Sequence, residues 1–124
     1  MPSRKVLCLS FDKVVSDSRC SELREAGYVV TASTNIDEAL DLLSRNTYDV
    51  VIVGHRFSKD EKYLVAAQAK EKVNTSVVLV CGATPESEIS ATSRVYALEG
   101  IAGLLSALSR LFTAEDAAQP RAAA

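Results

Sequence analysis

His55 is the only histidine in the chain, and it stands just past the apolar run Val50–Val53. Asp12 and Glu99 stand just past two other such runs. A fold that gathered the ends of these runs at one edge would set an imidazole between two carboxylates. Those are metal-ligand types, although their spacing along the chain is not diagnostic of a metal site. His55 alone could also accept a phosphoryl group. The preferred reading is plainer: a lone histidine without a surrounding constellation is a loop residue facing water.

Three cysteines, Cys8, Cys20 and Cys81, make no CxxC pair and no zinc spacing. Free thiols in a reducing cytoplasm are the simplest reading. Cys81 ends an apolar run, and a helix starting near Pro85 would lower its thiol pKa. A small, half-buried core cysteine is the preferred alternative. Cys20 is expected to be partly exposed. Lys59, Lys62, Lys70 and Lys72 are interleaved with Asp60, Glu61 and Glu71, which reads as a solvated mixed-charge helix face. The chain has no Gly-rich phosphate loop, no Ser-His-Asp set and no aromatic platform for stacking bases. No enzyme activity, catalytic residue, metal or cofactor is therefore expected.

The 124 residues suit one domain. With 48% hydrophobic and 24% charged residues the composition is that of a globular chain. A net charge of -2 argues against a nucleic-acid footprint. No apolar run approaches a membrane span, and Met1-Pro2-Ser3-Arg4-Lys5 opens directly into a strand-like segment, so neither a membrane partner nor a signal peptide is expected.

The elements that would position these groups alternate in type. Lys5–Leu9 reads as a buried strand. Residues 14–26 read as a weak helix with Val15, Leu23 and Ala26 on its apolar side, Arg19 interrupting, and Gly27 as the stop. Residues 28–32 form a second strand. In 35–45, Ile36, Ala39, Leu40 and Leu43 share one helical face, and Asn35 with Glu38 has capping-box spacing. Val50–Val53 is a third strand. Ser58 with Glu61 opens a helix through about Lys72. Ser76–Cys81 is a fourth strand, and Thr84-Pro85 suits the start of a short polar helix. Residues 94–98 make a fifth strand. Ile101, Leu104, Leu105, Leu108, Leu111 and Phe112 then define an amphipathic helix. The domain is expected to span residues 1–113, with 114–124 a frayed Ala-rich tail.

Strands alternating with helices imply βαβ units, and unbroken apolar strands imply burial on both faces. With right-handed crossovers the expected fold is α/β: one five-stranded parallel sheet of flavodoxin-like order 2-1-3-4-5, helices on both faces.

From Glu25 the chain reads Glu-Ala-Gly-Tyr-Val-Val-Thr-Ala-Ser-Thr-Asn-Ile-Asp-Glu-Ala-Leu-Asp-Leu-Leu, and from Tyr48 it reads Tyr-Asp-Val-Val-Ile-Val-Gly. These stretches resemble the response-regulator receiver domains (CheY-like) from the end of the first helix through the third strand. The resemblance covers nearly the whole chain and weakens over 83–100. It implies phosphoryl chemistry at the carboxyl ends of the strands. Two acids hold magnesium, an aspartate accepts the phosphoryl group, and a Ser or Thr and a Lys complete the site. Magnesium and the fixed cation offset the negative charge that gathers as a carboxylate approaches a phosphate.

Those positions fall here on Ser10 and Phe11 for the acids, with Asp12 one residue late, on Gly54 for the acceptor, on Cys81 for the hydroxyl and on Glu99 for the lysine. None is retained. Tyr96 falls at the switch aromatic. The departures imply a pseudo-receiver: a non-catalytic, stand-alone signalling module that binds a protein partner or itself. The expected surface is the face of helix 4, strand 5 and helix 5, with Tyr96, Gly103, Leu104 and Ala107 as candidates. Phe11 is expected to fill the space that metal and phosphate occupy in active receivers. The alternative is a small-ligand or nucleotide site in the crevice at the strand ends, lined by Ser10, Gly54 and Gly82.

Overall fold

The apolar runs become five parallel strands in the order β2-β1-β3-β4-β5. In the computed structural model, which describes residues 4–72, 74–82, 86 and 89–118, the elements follow the chain as β1 (Lys5–Leu9), α1 (Lys13–Glu25), β2 (Val29–Ser33), α2 (Ile36–Arg45), β3 (Val50–Val53), α3 (Lys59–Lys70), β4 (Ser76–Cys81), β5 (Ser93–Tyr96), a 3-10 turn (Ala97–Glu99) and α4 (Gly100–Ala118). The register sets Leu9 beside Ser33 and Val53, Val53 beside Leu79, and Cys81 beside Tyr96. The carboxyl ends of the strands therefore share one edge.

Successive strand residues point to opposite faces, and each face is buried. On one, Leu7, Leu9, Val51, Val53 and Leu79 pack under Ile36, Ala39 and Leu43 of α2 and Val65, Ala66 and Ala69 of α3. On the other, Val6, Cys8, Ile52, Val80 and Val95 meet Cys20 and Leu23 of α1 and Leu104, Ala107, Leu108 and Phe112 of α4. Local signals agree with this packing. The Ser58 side chain accepts from Glu61 N–H while Glu61 accepts from Ser58 N–H, a complete capping box. Asn35 accepts from Glu38 N–H at 2.7 Å. Gly27 has φ +102°, the left-handed stop that glycine adopts without a Cβ penalty.

Several expectations need correction. In α1 the buried residues are Ser16, Cys20 and Leu23, while Val15 and Ala26 are exposed. Asp12 caps the helix and sets its phase, so two small side chains and one leucine face the sheet. Cys20 is thus core, not surface. Leu104 and Ala107 are core as well, each 2% exposed, and cannot serve as a docking face. Gly103 is small for a local reason: a Cβ there would collide with the Glu99 side chain. Strand β5 stops at Tyr96 and gives way to a 3-10 turn where further strand was expected. Helix α4 runs through Ala118, into the segment expected to fray. The expected helix start at Thr84-Pro85 lies outside the described residues; residues 86 and 89–92 of that connection are not helical.

Candidate functional site

Ser10, Phe11, Asp12 and Gly54 line one crevice at the carboxyl ends of β1 and β3, together with Val15, Arg19, His55 and Arg56. Gly54 N–H donates to Leu9 O at 2.8 Å. A Cβ built on Gly54 would stand 3.0 Å from that same carbonyl oxygen. Backbone of β1 therefore passes close to Gly54, and a side chain there would press on it.

The other groups are committed locally. Asp12 Oδ1 accepts from Val14 N–H at 2.8 Å and Val15 N–H at 3.4 Å, capping α1. Ser10 is buried, and its Oγ accepts from Arg19 Nη1 at 3.1 Å. Phe11 is 54% exposed. Its ring leans on Phe57 with centroids 5.6 Å apart, and the Arg56 guanidinium lies 5.9 Å from its centroid. Phe11 thus covers the mouth of the crevice and is not a piece of core, contrary to expectation. The crevice measures about 30 Å³, room for a water or two. A nucleotide does not fit, so the crevice does not support the small-ligand alternative.

Cys81 and Glu99 do not line this crevice. Cys81 is fully buried and its thiol points to Leu79 O at 3.8 Å. Burial first, then Glu86, raises its pKa, which is the opposite of an activated thiol. Glu99 Oε2 accepts from Tyr96 N–H at 2.8 Å, a local cap on the 3-10 turn. Asp12, His55 and Glu99 consequently do not converge; among the described residues no three His, Cys, Asp or Glu side chains gather as a metal site.

His55 is half-buried at the mouth. Desolvation lowers its pKa, and the cations Lys62, Arg19 and Arg56 lower it further, against Glu86. Lys62 is not on a solvated face. Its Nζ donates to Glu86 Oε1 at 2.6 Å with both side chains buried. The spacing carried that signal: Lys62, Val65, Ala66 and Ala69 fall at i, i+3, i+4 and i+7 of one helical face, all buried. Cys8 and Cys20 also meet. A hydrogen bond between their sulfurs lowers the Cys20 pKa and raises that of Cys8.

A second concavity was not foreseen. A groove of about 440 Å³ opens between the start of α1 and the start of α4, with Tyr96 on its wall and Val80 and Val95 beneath. Arg19 and Val15 border both the groove and the crevice.

No protein-family model matches the chain. No curated protein matches it. Solved structures do. A CheY-like response regulator receiver domain protein from Methanospirillum hungatei superposes with a TM-score of 0.82 at 14% identity, covering 95% of this chain and 100% of that one. A response regulator receiver protein from Sinorhizobium medicae gives 0.80 at 24% identity, with 90% and 96% covered. The fold is that of response-regulator receiver domains. A third receiver-fold structure, the response regulator TrrA from Thermotoga maritima in complex with Mg(2+)-BeF, gives a TM-score of 0.76 at 22% identity, covering 87% of this chain and 98% of that one. Among the described residues of this receiver-fold chain no helix is long and apolar enough to cross a membrane.

Proposed function

We propose that this chain is a receiver-fold signalling module, a pseudo-receiver, that acts by protein–protein contact and takes no aspartyl phosphate. The observation that carries the reading is Gly54: buried, without a side chain, just past the end of the central strand, with Leu9 O close against it. The surroundings agree with it. Arg19 is bonded to Ser10 where a metal-holding acid is implied, Phe11 brings no carboxylate, and Glu99, at the implied lysine position, is folded back as a cap outside the crevice.

A module without chemistry works through surface. Tyr96, at the end of β5, is 41% exposed, and Leu98, in the 3-10 turn that follows, is 98% exposed. Exposed aromatic and aliphatic anchors of this kind suit a protein partner or a second copy. A cytoplasmic place in a two-component or phosphorelay pathway goes with this reading.

The test is a titration with beryllofluoride and magnesium followed by backbone amide shifts. The reading expects no saturable change at Ser10–Lys13, Gly54 or His55. Saturation there at millimolar magnesium overturns it.

A further inference from the structure

The groove between α1 and α4 differs in kind from the crevice beside it. Its volume, about 440 Å³, falls among those of small-molecule sites. Its walls are apolar: Val14 and Val15 on one side, Tyr96 and Ile101 on the other. The valines are unusually open for their type, Val14 at 76% and Val15 at 42% exposure. Val80 and Val95 beneath are buried, so the groove has a floor of core residues that does not need to move.

One cation borders this apolar space. Arg19 rises from α1 between groove and crevice. Its Nη1 is anchored to Ser10 Oγ at 3.1 Å, which fixes the guanidinium in place. Among the described residues it forms no ion pair. A guanidinium carries five N–H donors in a planar fork and is matched by a carboxylate or another planar oxyanion. With one donor spent on Ser10, others remain.

We propose that this groove is a binding site for an amphipathic organic anion, a carboxylate or sulfonate on an apolar ring or chain. The apolar body lies between Val14 and Val15 on one wall and Tyr96 and Ile101 on the other, and the oxyanion pairs with Arg19. Burial of the body supplies the non-directional attraction, and the single fixed cation sets orientation. Such a ligand would bridge α1 and the end of β5 with its following turn, the surface of Tyr96 and Leu98 assigned above to partner contact. The site itself stands on the groove and Arg19, so it can fail while the unphosphorylated reading holds, and the reverse.

The experiment uses anilinonaphthalene sulfonate as probe on the full chain, with uncharged phenylnaphthylamine for comparison. Fluorescence titration gives affinity, and amide shifts locate the probe. The expected result is saturable one-to-one binding of the sulfonate, weakened by salt, with shifts at Val14, Val15, Arg19, Tyr96 and Ile101. Arg19→Gln is expected to weaken the sulfonate about tenfold or more and leave the uncharged probe nearly unchanged. Ala97→Phe, which narrows the groove while keeping Arg19, is expected to weaken both. Amide spectra of each variant establish that it remains folded. Three results overturn the proposal: no saturable binding, shifts centred elsewhere such as on exposed Tyr63 and Leu64, or equal loss of charged and uncharged probe in folded Arg19→Gln.

Discussion

Arg19 Nη1 donates to Ser10 Oγ at 3.1 Å, so a guanidinium reaches the end of β1. Under the proposed reading this is a position for a metal-holding acid. A fixed cation there removes the need for a bound one and repels it. The crevice mouth is bordered by two arginines, Arg19 and Arg56, and by His55. Asp12, the acid within it, is turned to the amide groups of α1.

Gly54→Ala probes the close approach of β1 and β3. The new Cβ meets Leu9 O, a backbone atom that is held in the sheet. Overpacking of this kind costs about 1–3 kcal/mol. Urea denaturation measures it; an unchanged midpoint would show that the sheet edge yields freely.

Lys62→Met leaves the Glu86 carboxylate buried without its partner. Breaking a buried ion pair from one side costs about 3–5 kcal/mol. Replacing both Lys62 and Glu86 by Met is expected to recover most of that loss, since an apolar pair leaves no charge to desolvate. A double-mutant cycle by chemical denaturation checks both, and equal losses in the single and double variants would contradict it.

Phe11→Asp tests the exposed position of the ring. The change gives up half-exposed surface and the contact with Phe57, together about 1 kcal/mol. A loss of several kcal/mol would place Phe11 in the core after all.

His55 predicts a pH dependence with a definite sign. Its folded pKa lies below the ordinary imidazole value of 6.5. As pH falls through that value the unfolded chain takes up a proton before the folded chain does, so stability decreases. Above it the effect is absent. Urea midpoints across this range are expected to fall with acid, and His55→Gln to flatten the slope by the histidine's share. A histidine ring titrating above 6.5 would reverse the sign.

The sheet and most of its elements were legible because burial on both faces leaves unbroken apolar runs, as in Val50–Val53, and because caps such as Ser58 with Glu61 act over three residues. The phase of α1 was legible only at Leu23: the other residues it buries are Ser16 and Cys20, small side chains that do not mark an apolar stripe. Lys62 was misread because charge outweighed its place on a buried helical face. In the candidate site, Ser10, Phe11, Asp12 and Gly54 were brought together as their strand-end positions suggest. Glu99 was not, because β5 stops at Tyr96 and the turn after it folds Glu99 back as a cap. The Arg19–Ser10 bond spans nine residues and depends on helix phase, so no local pattern announced it.

The most direct measurement is intact mass after incubation with acetyl phosphate and magnesium. An unchanged mass is expected, because Gly54 offers no carboxylate to phosphorylate and Ser10 and Phe11 offer none to hold magnesium. A stoichiometric phosphate adduct, labile to base as an acyl phosphate is, would contradict it; an acid-labile adduct would point instead to His55.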